Sequence, residues 1–294
     1  MDSANQSSNK NISFGNLSPT EFLNIFSIPV VLGSVSTAFF FGRYFNAQLS
    51  FTFYWVLAST VWLIYTADHL LDGNRLKERA VFLRHVIHHQ HRSKFWPALA
   101  ALAVFNGVIS LLFLPRIILF SGAVLLALVF LYFIFTHFFK RLQGLIKEIF
   151  VAVGAVYGMV ILPGLHGNLD LKSSAIVVVM ALLNLCNLLI FSYFDFEGDA
   201  KNNQLTSATG LGKEKSKVLI YNALGLAFTL FTVYLFVATN KASGIVPLVV
   251  SILLMLNVLL FLMQFEEKVA KKERYRLYGD LIFLIPGIVF LVLG

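Results

Sequence analysis

The chain has 294 residues, 58% of them hydrophobic and only 13% charged, with a mean hydropathy of +0.78; an ordinary soluble domain carries roughly 25% charged residues. That excludes a soluble globular enzyme and predicts an all-α, polytopic membrane protein. The net charge of +8 does not by itself imply nucleic acid, because basic residues in a membrane chain mark the loops on one side.

In chain order, residues 1–20 are polar and rich in Asn and Ser, with no apolar stretch of the kind a signal peptide needs. They are expected to form a short disordered cytoplasmic tail, and 21–294 a single domain with no Pro/Ser-rich linker. Nine segments approach the roughly 20 apolar residues that cross the hydrocarbon: 22–42, 51–71, 95–114, 117–139, 149–165, 174–194, 218–239, 244–265 and 277–293. None alternates polar and apolar residues as the strands of a membrane barrel do, so nine helices are expected, bundled around a central cavity. Cys186, the single cysteine, lies inside an apolar segment and is expected to fill the core.

The loops after the second, fourth, sixth and eighth segments hold six, three, four and five Lys and Arg, and those after the first, third, fifth and seventh hold one each. The basic loops are therefore expected in the cytoplasm, with the N-terminus inside and the cavity open to that side of a cell inner membrane. This accounts for the positive charge with a lipid bilayer and no nucleic-acid partner.

Two of the segments end in paired carboxylates: Asp68 and Asp72 close the second, and Asp195, Glu197 and Asp199 close the sixth. Each aspartate pair is four apart and shares one helix face. Acids at the end of a membrane-length segment are costly unless a cation sits among them. Facing each other, the pairs would form an acidic nest for Mg2+ and a diphosphate, since Mg2+ takes few carboxylates and otherwise keeps water or phosphate oxygens. Each pair is followed by a long loop of the kind that carries function.

Tyr65 shares the face of Asp68 and Asp72, and Asn184, Asn187 and Phe191 share that of Asp195, as cavity-lining residues would. Lys147 and Lys201 are candidates for neutralising a leaving diphosphate. The bland alternatives are acids in the headgroup region, Asn residues bonded between helices, and lysines that only mark topology. The stretch 84–92 contains His85, His88 and His89 in an HxxHH spacing, which resembles one box of the membrane di-iron desaturases. That site draws on several such boxes, and only His69, His137 and His166 lie outside this stretch. A polar surface loop from which a His or Arg reaches the diphosphate is the better reading.

At these residues the chain resembles the UbiA superfamily of intramembrane aromatic prenyltransferases, which has a nine-helix bundle, an NDxxDxxxD motif after the second helix and a DxxxD motif after the sixth. Ile64-Tyr65-Thr66-Ala67-Asp68-His69-Leu70-Leu71-Asp72 aligns with the first, with Ile64-Tyr65 replacing its opening Asn-Asp and His69 where many members carry Arg. Asp195-Phe196-Glu197-Gly198-Asp199 keeps the second, whereas 205–208 lacks the lysine of a frequent Gly-Lys-Ser/Thr segment.

The resemblance implies Mg-dependent transfer of a polyprenyl group from polyprenyl diphosphate to an aromatic or other electron-rich, membrane-soluble acceptor, with no obligate protein partner. It implies metal ligation by Asp68, Asp72, Asp195, Glu197 and Asp199, catalysis by the four aspartates and Lys201, and substrate contacts from Tyr65, His69, Arg75, Lys147, Asn184, Asn187 and Phe191. A non-catalytic isoprenoid-binding or transport protein on the same bundle, and phosphoribosyl transfer to polyprenyl phosphate, are the alternatives.

Overall fold

The structure, a computed structural model, describes residues 17–138, 144–170, 173–237 and 244–294, and among these every regular element is helical. Helices satisfy their own backbone groups, which an apolar bilayer cannot do for them.

Of the expected tail, 1–16 lie outside the described residues, and from Ser18 onward the chain is a capped helix. Ser18 and Glu21 form a reciprocal capping box at the start of α1 (Pro19–Ile25). The chain breaks at Ser27, which has φ of 53°, and α2 (Ile28–Tyr44) leaves at 66° to α1. The first expected segment is thus two helices; Pro29, without an N–H, sits where α2 begins and a continuous helix would lose a bond.

Helix α3 (Phe51–Leu76), capped by Ser50, runs beyond the expected end at 71. The long loop expected after it contains α4 (Leu83–Gln90), which leads into α5 (Arg92–Phe113). Then come α6 (Arg116–Phe138), α7 (Gly144–His166, with a π turn at Tyr157–Ile161) and α8 (Ser174–Lys201). The second expected loop contains α9 (Ser207–Leu211), and α10 (Lys213–Val237), α11 (Ile245–Gln264), α12 (Glu266–Ala270) and α13 (Arg274–Leu293) complete the chain. Among the described residues, α5, α6, α7, α8, α10, α11 and α13 are long and apolar enough to span a membrane, and the bent α1–α2 pair makes an eighth. Helix α3 is 26 residues long, but its Tyr, Trp, hydroxyl and acidic residues hold its hydropathy down.

Helix α8 is the hub. Over half of its spanning window, 56%, is buried, against 11% for α5 and 17% for α6, so the latter two face lipid and α8 faces protein. Met180, Leu183, Cys186 and Ile190 pack with Phe40 and Phe41 of α2, Ile220 and Phe231 of α10, and Met255 and Leu259 of α11. Because lipid tails are as apolar as this core, hydrogen bonds between helices and close approach do much of the joining. Asn106 of α5 donates to Ser59 of α3 at 2.7 Å, and Thr37 and Ser36 of α2 donate to the backbone oxygens of Phe283 and Leu284 at 2.7 and 2.8 Å. Two glycines set the approach of the elements that build the site. A Cβ on Gly73 would lie 2.6 Å from the His85 carbonyl oxygen of α4, and one on Gly279 would collide with Asn187 and Phe191 of α8.

Candidate functional site

The acidic ends of α3 and α8 meet at a cavity of about 210 Å³, walled by α3, α4, α7, α8 and α13. Asp68, Asp72, Asp195 and Asp199 all line it, with Tyr65, His69, Lys147 and Phe191. The two sequence-predicted acid pairs therefore share one site.

Each acid has a different environment. Asp68 accepts from the Tyr132 hydroxyl at 3.2 Å. Asp72 accepts from Arg75 at 2.8 Å and from Gln204 at 3.2 Å, with His85 Nε2 at 4.0 Å. Asp195 is the most engaged: Arg84 of α4 reaches it at 3.4 Å, and Tyr275 and Arg276 of α13 both donate to it. Arg84 also reaches Glu273 at 3.4 Å, and the Arg276 guanidinium lies 5.1 Å above the Phe191 ring. Asp199 is buried, and its backbone oxygen accepts from Gln204 N at 2.8 Å, which turns the chain back over the site. Lys147 stands 6.0 Å from the Tyr132 ring centre.

The histidines of α4 fold inward. His69, His85 and His88 are all buried, with ring centres 5.8 Å apart for His69–His85 and 5.2 Å for His69–His88. Burial, with Arg84 and His69 alongside, holds the His85 imidazole well below the ordinary histidine value, so it is neutral. Burial also lowers His88, against the opposing effect of its Nδ1–H bond to the Arg84 carbonyl at 2.7 Å. Among the described residues, no three His, Cys, Asp or Glu side chains gather closely enough to enclose a metal by themselves. The described residues build no desaturase-like iron centre, and a metal at the acids would need ligands from beyond them.

Five expected site residues lie elsewhere. Glu197 is exposed and off the cavity, because two residues from either aspartate is more than half a helical turn away. For the same reason Lys201 turns from Asp199 into a separate cleft of about 230 Å³, with Arg75, Arg79 and Asn202. Arg75 still pairs with Asp72, but from outside the cavity. Asn184 and Asn187 are buried in α8 without lining the cavity; Asn187 abuts α13 at Gly279. In their stead the structure brings in Arg84, His85, Tyr132, Glu148, Gln204, Arg276 and Asp280. Asp280 was visible in principle, as an acid inside an apolar segment.

No protein-family model matches the sequence, and no curated protein sequence matches it significantly. Solved structures do match. An apo UbiA homologue from Aeropyrum pernix K1 superposes with a TM-score of 0.66 at 16% identity, covering 89% of this chain and 97% of that one. The chain shares its fold with this UbiA homologue. A UbiA homologue from Archaeoglobus fulgidus bound to GPP and Mg2+ gives a TM-score of 0.62 at 13% identity, over 92% of this chain and 99% of that one. A digeranylgeranylglyceryl phosphate synthase gives 0.59 at 14% identity, over 92% and 96%. Ile64 and Tyr65, which stand where the resembled first motif opens with Asn-Asp, also line the cavity.

Proposed function

We propose that the protein transfers a polyprenyl group from a polyprenyl diphosphate to an electron-rich, membrane-soluble acceptor in a Mg2+-dependent reaction. The observation that carries the proposal is the convergence of both aspartate pairs, with Lys147, Arg84 and Arg276, on one cavity at the end of a helical bundle. One or two of Asp68, Asp72, Asp199 and, in part, Asp195 would hold each metal ion. A site that gathers too few protein ligands to enclose an ion suits Mg2+, which binds through one or two carboxylates and completes its shell with water and substrate phosphate oxygens. When bound, Mg2+ supplies charge neutralisation on the leaving diphosphate.

The rest is done by the chain. Lys147, Arg84 and Arg276 offer positive charge to the diphosphate as its bond to the prenyl carbon breaks. The faces of Phe191 and Tyr132 border the carbon that becomes electron-poor. Helix α4, which contributes Arg84 and His85 to the cavity wall, helps keep water from that carbon. The distribution of basic residues among the loops supports a mouth on the cytoplasmic side of a cell inner membrane, with the N-terminus inside.

The engagement of Asp195 by two arginines favours one second reading, an isoprenoid-binding protein without turnover. Purified protein with Mg2+, labelled geranyl or farnesyl diphosphate and an electron-rich acceptor such as a phenol should release pyrophosphate, and Asp199→Ala should abolish the release with folding retained. Donor binding without release would support the second reading instead.

A further inference from the structure

Glu148 stands on the α7 wall of the cavity and is only 7% exposed. Its Oε1 accepts from the Ser207 N–H at 3.1 Å and from the Ser207 hydroxyl at 2.9 Å, which fixes the carboxylate against α9. Ser192 of α8 stands beside this pair, 3.1 Å from the Ser207 hydroxyl, and accepts from Ala208 N at 3.0 Å. Its other oxygen, Oε2, is buried with no hydrogen-bond partner among the described residues. The nearby cations are directed elsewhere: Lys147 lies beside the Tyr132 ring, and Arg84 and Arg276 converge on Asp195. A buried carboxylate oxygen without a donor is a costly feature in any protein, and more so within a bilayer. Its place in the wall of a ligand cavity gives that cost a purpose, because a ligand can bring the missing donor.

We propose that Glu148 is the acceptor's contact, and that the acceptor is a hydroxyl-bearing molecule, uncharged at the end that enters. This rests on the prenyl-transfer reading and adds the substrate class to it. Oε2 takes a hydrogen bond from the acceptor hydroxyl. The carbon–oxygen bond of the donor breaks, and its electron pair leaves with the diphosphate. An electron pair from the hydroxyl oxygen, or from a ring carbon conjugated to it, forms the new bond to the prenyl carbon. The hydroxyl proton passes to Oε2, leaving pyrophosphate and the prenylated product, which after ring attack is first the keto tautomer. A carboxylate-bearing end would meet the Glu148 charge and is disfavoured, whereas phenols, hydroquinones and lipid alcohols fit.

The test compares wild type with Glu148→Gln, which keeps an oxygen for Ser207 but cannot take a proton. Two quantities are read: the dissociation constant for geranyl diphosphate with Mg2+, and prenyl transfer to p-cresol, naphthalene-1,4-diol and a 1-O-alkylglycerol. The expected result is wild-type transfer to at least one of these, a donor constant unchanged within about twofold, and transfer lowered about a hundredfold or more in the variant. Transfer retained in Glu148→Gln overturns the proposal, and so does loss of donor binding together with transfer, which marks a structural role. Wild type that binds and cleaves the donor but prenylates none of the three overturns the acceptor class while leaving prenyl-donor chemistry standing. Wild type that binds no donor removes the underlying reading, and this inference with it.

Discussion

Arg84 of α4 and Asp195 of α8 are 3.4 Å apart although 111 residues separate them in the chain, and Arg276 of α13 meets the same carboxylate. All three side chains are largely buried. Removing the shared acid leaves two guanidiniums without a countercharge, a loss of about 3–5 kcal/mol when a buried pair is broken. Asp195→Asn should therefore lower the thermal midpoint markedly in detergent. An unchanged midpoint would mean that the three groups do not hold α4, α8 and α13 together.

Metal affinity should depend on the diphosphate. Because the described residues include no ready-made cluster of three ligands, Mg2+ alone should bind weakly, and calorimetry should show much tighter binding once pyrophosphate or a prenyl diphosphate is present. Chelation should stop pyrophosphate release and added Mg2+ should restore it. Tight Mg2+ binding by the protein alone would contradict this arrangement of the acids.

Gly73→Ala tests the seating of α4. The added methyl would meet the His85 carbonyl oxygen at 2.6 Å, and backbone can yield only by moving the helix. A cost of about 1–3 kcal/mol is expected, with faster proteolytic cleavage in the connection at 77–82. A variant as protease-resistant as wild type would show that α4 is held by other contacts.

The buried histidines of α4 predict an acid limit. His85 and His88 both sit below the ordinary value of 6.5 in the folded protein, chiefly through burial. The unfolded chain therefore binds more protons in acid. The stability these groups contribute is complete above pH 6.5 and is lost as pH falls below it, by at most about 1.4 kcal/mol per group per pH unit. Thermal midpoints should fall between pH about 6.5 and about 5, and replacing both residues with Gln should flatten the profile. An identical slope in the double variant would assign the acid sensitivity elsewhere.

The acid pairs were legible in the sequence because two physical rules agreed on them. Carboxylates at the end of an apolar segment are expensive, and a spacing of four puts them on one helix face. The same periodicity argues against Glu197 and Lys201 as cavity residues, and the structure places both outside it. Segment lengths judged from apolar content missed that α3 continues to Leu76 and α8 to Lys201, because polar residues can extend a helix that has left the hydrocarbon. Arg84 and His85 stood out as part of a basic, histidine-rich stretch, but their inward position depends on the contact at Gly73, which has no local signature. Arg276 could be counted only as a topological charge, since its partner lies 81 residues away.

The bond network around Asp195 has a last implication. With Arg84 and Arg276 already neutralised from within, the resting protein carries its own surrogate for a substrate anion. Entry of a ligand then becomes an exchange of counter-ions, and a newcomer succeeds only if it offers the two guanidiniums more than one carboxylate does. On the proposed reading, a polyvalent anion meets that condition and a lone carboxylate does not, so selection by valence would precede any chemistry.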